Sequence, residues 1–351
     1  MPLGDVAALK RGYDLPTRAR REGPVPVVSS RGVTGSHDTA RAKAPGVVTG
    51  RTGTLGKVFY VERDFWPLNT TLYVADFRGN DPRFVACLLE TLDYAALNDK
   101  AAVPGVARRH LEDLIVRRPP LAEQRAIGVR LAKLDRRRDL LDAMDARVAG
   151  MAQALFAMLP RGKPRKIDEL CAEIGAGGTP PRRDPACWGG TVPWYRSGDL
   201  DDAPLVQAPE ALTDHGLARA HAVVWPAGTV LLAMYASPTV GRLGLLASPA
   251  SANQACAALV ARPEYGAHFL FQSLLATRDR LKSLAAGAAQ QNINLRLVRE
   301  HEIPAPSPRI ARGFDTKAAR LHALRAAYRR ELRALAALRA AAIAELRRDT
   351  R

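Results

Sequence analysis

The sequence predicts an α+β fold: two modules of mixed strands and helices, separated and followed by long helices that form an antiparallel coiled coil. Three observations predict it. A set of short motifs occurs twice in the same order along the 351 residues. The first copy begins with β-rich runs punctuated by Gly and Pro and then changes to a helical period. Each copy ends in a stretch whose apolar residues step by three and four, the spacing of a helix seam.

The repeat is checked position by position. Thr54-Leu55-Gly56-Lys57-Val58 returns as Thr239-Val240-Gly241-Arg242-Leu243, and Phe84 as Phe269, both at an offset of 185 residues. Val106 and Val116 return as Ile293 and Ile303 at an offset of 187. Nearer the start, Leu3-Gly4-Asp5-Val6 pairs with Ile167-Asp168-Glu169-Leu170, and Val25-Pro26-Val27 with Val192-Pro193-Trp194. The drift accumulates as insertions in the second copy. Ala-rich and Arg-rich composition explains similarity between helices better than it explains the Thr-x-Gly-basic-apolar match.

The first module, residues 1–118, reads as short strands at Val25 to Ser29, Gly46 to Thr49, Lys57 to Val61 and Thr71 to Val74, then a helix from Pro82 to Leu92 with Phe84, Leu88 and Leu92 on one face. A spacer helix over residues 119–160 follows, with Leu141, Met144, Val148, Met151, Leu155 and Met158 as its seam and Asp139, Asp142, Asp145 and Arg147 outside it. Pro160 and Gly162 end it, and Lys163 to Lys166 form a basic linker into the second module, residues 161–308. The C-terminal helix, residues 309–351, carries Leu321, Leu324, Tyr328, Leu332, Leu335, Leu338, Ala342 and Leu346 at the same kind of spacing. Each seam needs a partner. The two helices match in length and in place within the repeat, which favours pairing with each other over an interface for a third protein.

A net charge of +17 and a pI near 10.3 point to a partner with regular negative charge, nucleic acid above all. Cys87, Cys171, Cys187 and Cys256 show no C-x-x-C pairing and no His at zinc spacing, so they read as reduced, mostly buried thiols and no metal site is expected. The start, Met1-Pro2-Leu3-Gly4-Asp5, is not a signal peptide, and no run of eighteen apolar residues occurs, so the expected location is cytoplasmic, with no membrane partner.

Candidate chemistry is sparse. Gly50-Arg51-Thr52-Gly53-Thr54-Leu55-Gly56-Lys57 fails as a phosphate-binding loop, because five residues separate Gly50 from Gly56 where the motif has four, and Val58 stands where a hydroxyl must meet magnesium. It reads as a Gly-rich β-turn. Gly175-Ala176-Gly177-Gly178-Thr179-Pro180 lacks the dinucleotide-binding pattern, and Pro180-Pro181 forbids the helix that must follow. It is a loop whose Arg182 and Arg183 can contact phosphate. No H-E-x-x-H, no G-x-S-x-G, no metal-carboxylate cluster and no Asn-Pro-Pro-aromatic tetrapeptide is present. His37, His110, His215, His221, His268, His301 and His322 are scattered and read as structural. Trp188, Trp194 and Tyr195 read as core or scaffold. Gln290-Gln291-Asn292-Ile293-Asn294 gathers amides suited to bidentate contact with adenine, although the same amides could equally cap a turn and a helix.

At these residues the chain resembles the specificity subunit of type I restriction-modification systems. The resemblance is carried by Pro119-Pro120-Leu121-Ala122-Glu123-Gln124-Arg125-Ala126-Ile127 with Met151-Ala152-Gln153-Ala154-Leu155-Phe156. It is carried also by Gly177-Gly178-Thr179-Pro180 followed by Trp188-Gly189-Gly190, Pro193-Trp194 and Gly198-Asp199-Leu200, and by Gln290-Gln291-Asn292-Ile293-Asn294. It covers essentially the whole chain. The first module lacks the Gly-Gly-Thr-Pro and Trp-Gly-Gly segments, and the chain reaches Leu3-Gly4-Asp5-Val6 with little leader, which is compact for that family.

The resemblance implies two target-recognition domains, each reading half of a split DNA sequence, and spacer helices that bind methyltransferase subunits. It implies as partners double-stranded DNA, methyltransferase subunits, expected to number two, and restriction or translocase subunits. Catalysis would belong to those subunits, so this chain is expected to be a non-catalytic specificity subunit with no cofactor. The candidate DNA contacts are Arg31, Arg51, Lys57, Arg182, Arg183, Arg196 and Arg242, with Gln290, Gln291 and Asn292 as candidate base readers. The candidate helix-seam residues are Leu141, Met144, Val148, Met151, Leu155, Leu324, Tyr328, Leu335 and Leu338. A helix of some 36 residues is roughly 54 Å long at 1.5 Å per residue, so the target is expected to be bipartite with an unread gap. A coiled-coil scaffold with non-specific DNA binding is the competing reading.

Overall fold

The computed structural model describes residues 1–97, 105–235, 239–286 and 293–348. The chain divides into two units, Met1–Asp139 with Ala334–Arg351, and Leu140–Arg333. Each unit therefore takes a part of both long helices, Leu121–Ala157 and Pro308–Arg348.

In the first unit a four-stranded sheet runs in the order Ala8–Arg11, Thr71–Asp76, Gly46–Gly50, Val58–Val61, all neighbours antiparallel. A second sheet pairs Val25–Ser29 with Gly32–His37 antiparallel and with Trp66–Pro67 parallel. The second unit repeats this plan. Its main sheet runs Cys171–Ala176, Cys256–Ala261, Val230–Ala233, Leu243–Leu246 and adds Ala203–Leu205 at the far edge. Its small sheet pairs Trp188–Tyr195 with Glu210–Leu212 antiparallel and with Ser251–Ala252 parallel. The order of four strands in the main sheet and the parallel pairing in the small sheet are the same in both units, so the duplication read from short motifs is a duplication of topology.

The local reasons are visible in the sequence. Asp81 accepts hydrogen bonds from the Arg83 and Phe84 amides and Pro82 stands at the first helical position, which starts the helix Pro82–Glu90. Its face Phe84, Val85, Leu88 and Leu89 is fully buried against Val47, Leu72 and Val74 of the sheet. In the second unit Phe269, Leu270, Phe271 and Leu274 of the helix Ala267–Ala286 bury against Val230, Leu232 and Leu259. The positive φ of Gly56 (76°) and of Gly241 (79°) turns the chain into the strands that begin at Val58 and Leu243, a conformation disfavoured for residues with a Cβ. That requirement explains the glycine shared by the two motifs.

Within each unit the two long helices run antiparallel. In the first, Asp135 meets Arg339, and Ile127, Leu131 and Leu134 share a core with Ala342, Ile343 and Leu346. In the second, Asp145 meets Arg325, and Phe156 packs on Phe269 and Phe314 with ring centroids 5.9 and 5.5 Å apart.

The seam differs from the one the apolar residues predict. Leu141 and Val148 are buried and Met144, Leu155, Tyr328 and Leu335 are half-buried, but Met151 (51% exposed), Met158, Leu324 and Leu338 (55% exposed) lie on outer faces. Buried alongside Leu141 and Val148 are Asp145 and Ala152 on one helix and His322, Arg325 and Ala326 on the other. A count of apolar residues misplaces the seam because an ion pair and two alanines occupy it. Asp145, expected outside, is 8% exposed.

Candidate nucleic-acid interface

In the first unit the candidate cations lie on two neighbouring turns. Arg31 sits in the tight turn between Val25–Ser29 and Gly32–His37, where the Ser29 hydroxyl accepts from the Arg31 amide at 3.1 Å. Lys57 closes the Gly-rich loop, and its carbonyl accepts a hydrogen bond from the Thr49 hydroxyl at 3.1 Å. The turns are adjacent, since Gly53 of the loop lies against the Ser30 side chain. Arg31 and Lys57 are exposed and make no ion pair among the described residues. Arg51 is different. Its guanidinium Nε donates to the Asn69 carbonyl at 3.2 Å, and partial burial, with Arg11 nearby, lowers its pKa. It braces the loop rather than offering a free charge.

In the second unit, Arg182 and Arg196 converge on one carboxylate. Arg182 grips Glu210 with both terminal nitrogens, at 2.5 and 3.2 Å, and lies over the rings of Trp188 and Trp194 at 4.0 and 5.0 Å. Arg196 reaches Glu210 at 3.8 Å and Asp199 at 3.3 Å. The Arg182 hydrogen bonds hold the Glu210 carboxyl below the usual carboxylate range. Two arginines facing Glu210 and Asp199 leave the cluster without net charge. A phosphate would have to displace a carboxylate from either arginine, which makes them weaker anion ligands than their exposure implies. Arg183 is exposed and Arg242 half-buried, and neither makes an ion pair among the described residues.

The tryptophans are scaffold. Trp194 Nε1 donates to the Gly178 carbonyl at 3.0 Å and Trp188 Nε1 to the Pro181 carbonyl at 3.2 Å, so the pair fixes the loop that carries Arg182 and Arg183. Tyr195 is buried, which pushes its phenol up to about 12. Gln290, Gln291 and Asn292 lie outside the described residues. Ile293 is fully buried, and the Asn294 side chain caps the helix Leu295–Glu300 by accepting from the Leu297 amide at 2.9 Å. For Asn294, at least, the capping reading is the structural fact.

One cationic surface has no sequence signature. Arg41 lies over Trp66 and Tyr13 at 5.2 and 5.6 Å, and Lys10 over Tyr13 at 5.7 Å. The Tyr13 hydroxyl lies 3.1 Å from that of Tyr73, and this bond, with Lys10 and Arg41, lowers the Tyr13 pKa. These residues come from separate stretches of sequence, brought together by the pairing of Lys10 opposite Tyr73 and by the Tyr13–Leu68 and Ala42–Phe65 bridges. Basic residues interleaved with aromatics are suited to polyanion contact.

The four cysteines are all free and buried. Burial pushes the Cys87 and Cys171 thiols up to about 12, which leaves them unreactive. Among the described residues no helix is long and apolar enough to cross a membrane.

Fold and surface together define a protein made of two copies of one α+β module, each finished by a stretch of antiparallel helix pair and each presenting basic turns. The chain belongs to the type I restriction modification DNA specificity domain family, whose model matches residues 1–147 and 162–322. The two matched segments correspond to the two repeats. Among solved structures, the S subunit of a type I restriction-modification system from M. genitalium matches with a TM-score of 0.71 at 16% identity, covering 99% of this chain and 95% of that one. At this identity the likeness is one of fold. The HsdS subunit from Thermoanaerobacter tengcongensis matches at 18% identity with a TM-score of 0.35, covering 99% of this chain and 96% of that one.

Proposed function

We propose that this chain is the DNA sequence-recognition subunit of a type I restriction-modification complex, binding a bipartite DNA target and directing methyltransferase and endonuclease subunits to it. In this reading residues 1–118 and 161–308 are target-recognition domains, residues 119–160 and 309–351 are spacer helices, and the catalytic steps belong to the partner subunits. The observation that carries the reading is the shared topology of two family-matched units, with a basic residue, Lys57 or Arg242, just before the equivalent strand in each. A duplicated reader suits a target read in two halves. The net charge of +17 suits the phosphate backbone, which positions such a protein while loop side chains select bases.

The test is to map modified bases in cells carrying this chain with its methyltransferase partner. Modification at a split motif is expected, and exchanging residues 161–308 for those of another family member should change one half of it. Modification at a continuous motif, or none that depends on this chain, would overturn the reading. Lys57→Ala and Arg242→Ala should each weaken binding on all sequences alike and reduce the salt slope by about one. Gln290→Ala, Gln291→Ala or Asn292→Ala should relax selectivity in one half-site only. A scaffold would bind random duplexes with salt dependence and without sequence preference. Deleting seven residues from 139–158 with a matching deletion in the C-terminal helix should shorten the unread gap by about three base pairs, at roughly 1.5 Å per residue against 3.4 Å per base pair.

A further inference from the structure

Cys187 ends the short 3-10 helix Pro185–Cys187, Asp184 caps that helix, and His215 lies in the first turn of the helix Asp214–Ala220. Their ligand atoms come together: Asp184 Oδ2 is 3.4 Å from Cys187 Sγ and 3.4 Å from His215 Nε2, and all three atoms lie within 4.8 Å of one another. We propose that Asp184, Cys187 and His215 form a binding site for a thiophilic divalent cation, Zn²⁺ by the chemistry of its donors, with solvent in the fourth position. The DNA-recognition reading does not call for this site, and the proposal does not depend on that reading.

The geometry fits the ion. With Zn–O and Zn–N near 2.0 Å and Zn–S near 2.3 Å, tetrahedral edges are roughly 3.5 Å for oxygen to sulfur and roughly 3.3 Å for oxygen to nitrogen. Both separations, 3.4 Å each, fall at these edges. Only the sulfur-to-nitrogen edge has room to close, and His215 is exposed, so turning its ring costs little. Thiolate with imidazole and carboxylate is a donor set that selects zinc-like ions over magnesium or calcium.

The frame is fixed before any ion arrives. The Thr213 amide donates to the Cys187 carbonyl at 3.1 Å and the Thr213 hydroxyl to the Ala186 carbonyl at 2.6 Å. Gly216 approaches the Cys187 backbone so closely that a Cβ there would stand 2.2 Å from its carbonyl oxygen. Two segments nearly thirty residues apart are thus clamped with their ligands facing. Without a cation, the buried Cys187 thiol is raised by its surroundings and donates to Asp184, whose own pKa that bond lowers. Binding would release the thiol proton to solvent and replace this bond with two metal bonds. The ion would then lock the loop that carries Arg182 and Arg183 onto the helix Asp214–Ala220.

The experiment uses the full chain, purified under reducing conditions and stripped of metal, titrated with Co²⁺. One equivalent should bind, with a thiolate-to-cobalt charge-transfer band in the near ultraviolet and d–d bands of tetrahedral intensity. Zn²⁺ should displace it. Cys187→Ser should abolish the charge-transfer band, and Asp184→Asn and His215→Gln should weaken binding by at least the roughly 10- to 100-fold that losing even an outer-shell partner costs. His215 is exposed, so that variant keeps its fold and remains informative if Cys187→Ser does not. Absence of a charge-transfer band in the folded wild type, or Co²⁺ affinity unchanged in both Asp184→Asn and His215→Gln, would overturn the proposal.

Discussion

In the first unit the helix Pro82–Glu90 is capped by its own neighbour: Asp81 Oδ1 accepts from the amides of Arg83 and Phe84, both at 3.0 Å. In the second unit the equivalent amides, of His268 and Phe269, donate at 2.7 and 3.2 Å to Asp315, which stands on the long helix. The position equivalent to Asp81 is Gly266, and the position equivalent to Asp315 is Gly128, at the same offsets as the anchors of the repeat. Each glycine makes room for the other partner's carboxylate. A Cβ at Gly128 would lie 3.0 Å from Asp81 Oδ1 and 2.9 Å from the Arg83 Cβ, and one at Gly266 would lie 2.1 Å from the Asp315 Cγ. The fold needs one carboxylate at this helix start and has space for only one. It does not specify which element supplies it.

The units differ more in the polar groups between their helices. In the second, Arg325 (5% exposed) holds Asp145 through two hydrogen bonds, at 2.8 and 3.2 Å, and Arg329 joins both Asp145 and Asp201. In the first, Arg339 lies between Glu90 and Asp135 with all three partly exposed. A second contrast lies at the positions equivalent to Cys87 and Asp135, which are Gln272 and His322. With the Gln272 amide nitrogen donating at 3.2 Å, His322 Nε2 accepts, so its Nδ1 carries the proton and donates to His268 Nδ1 at 2.8 Å.

Four measurements test how far this contrast goes. The largest effect is expected from Asp145→Ala, which leaves a buried guanidinium without its carboxylate and should cost about 3–5 kcal/mol. Asp135→Ala leaves Arg339 with Glu90 and should cost about 1 kcal/mol or less. Denaturant melts with hydrogen exchange would place the Asp145→Ala loss in the second unit. Equal costs would mean that burial does not distinguish the two pairs.

Acid should act next, and on the second unit. Burial pushes His322 down to about 3, with His268 and Arg325 adding to the effect, and pushes His301 down to about 4. The unfolded histidines take up protons near 6.5 while the folded ones stay neutral, so stability present above that value is lost as pH falls from 6.5 towards 3 to 4. Melting at pH 7.5 and 5.0 should show this loss, and His322→Gln should lessen it. A loss that His322→Gln leaves unchanged would assign the acid sensitivity elsewhere.

Smaller still is the exchange of caps. Asp81→Ala and Asp315→Ala should each cost about 1 kcal/mol. Gly128→Asp alone should be destabilising, because two carboxylates then crowd one helix start, and Asp81→Gly should partly rescue it. Failure of that rescue would mean that the two arrangements are not interchangeable.

The duplication, and the strand runs and helix start of the first module, were legible in the sequence because they rest on local rules. Val25–Ser29 was expected and found with the same bounds, and Pro82 marks its helix start without help from tertiary contacts. The candidate site was legible only as residue types. Arg182 and Arg196 read as candidate DNA contacts, yet both face Glu210, which lies on a different strand and becomes their partner only when that strand pairs with Trp188–Tyr195. The Asp184, Cys187 and His215 group was missed because spacing tests for zinc look for ligands close in sequence, whereas His215 arrives on a separate helix.

The sequence by itself determined that this protein is made twice over from one α+β module and ends each copy in a long helix. Periodicity and turn glycines act over a few residues, and 351 residues repeat them in order. Only the tertiary structure decided which side chains face each other: the ion pair inside the helix seam, the carboxylate supplied from Gly128's counterpart, and the neutral arginine cluster beside the tryptophans. The reason is physical. Burial and pairing of charge depend on what lies across a contact, and residues such as Asp145 and Arg325, far apart in the chain, acquire partners only when the helices pack.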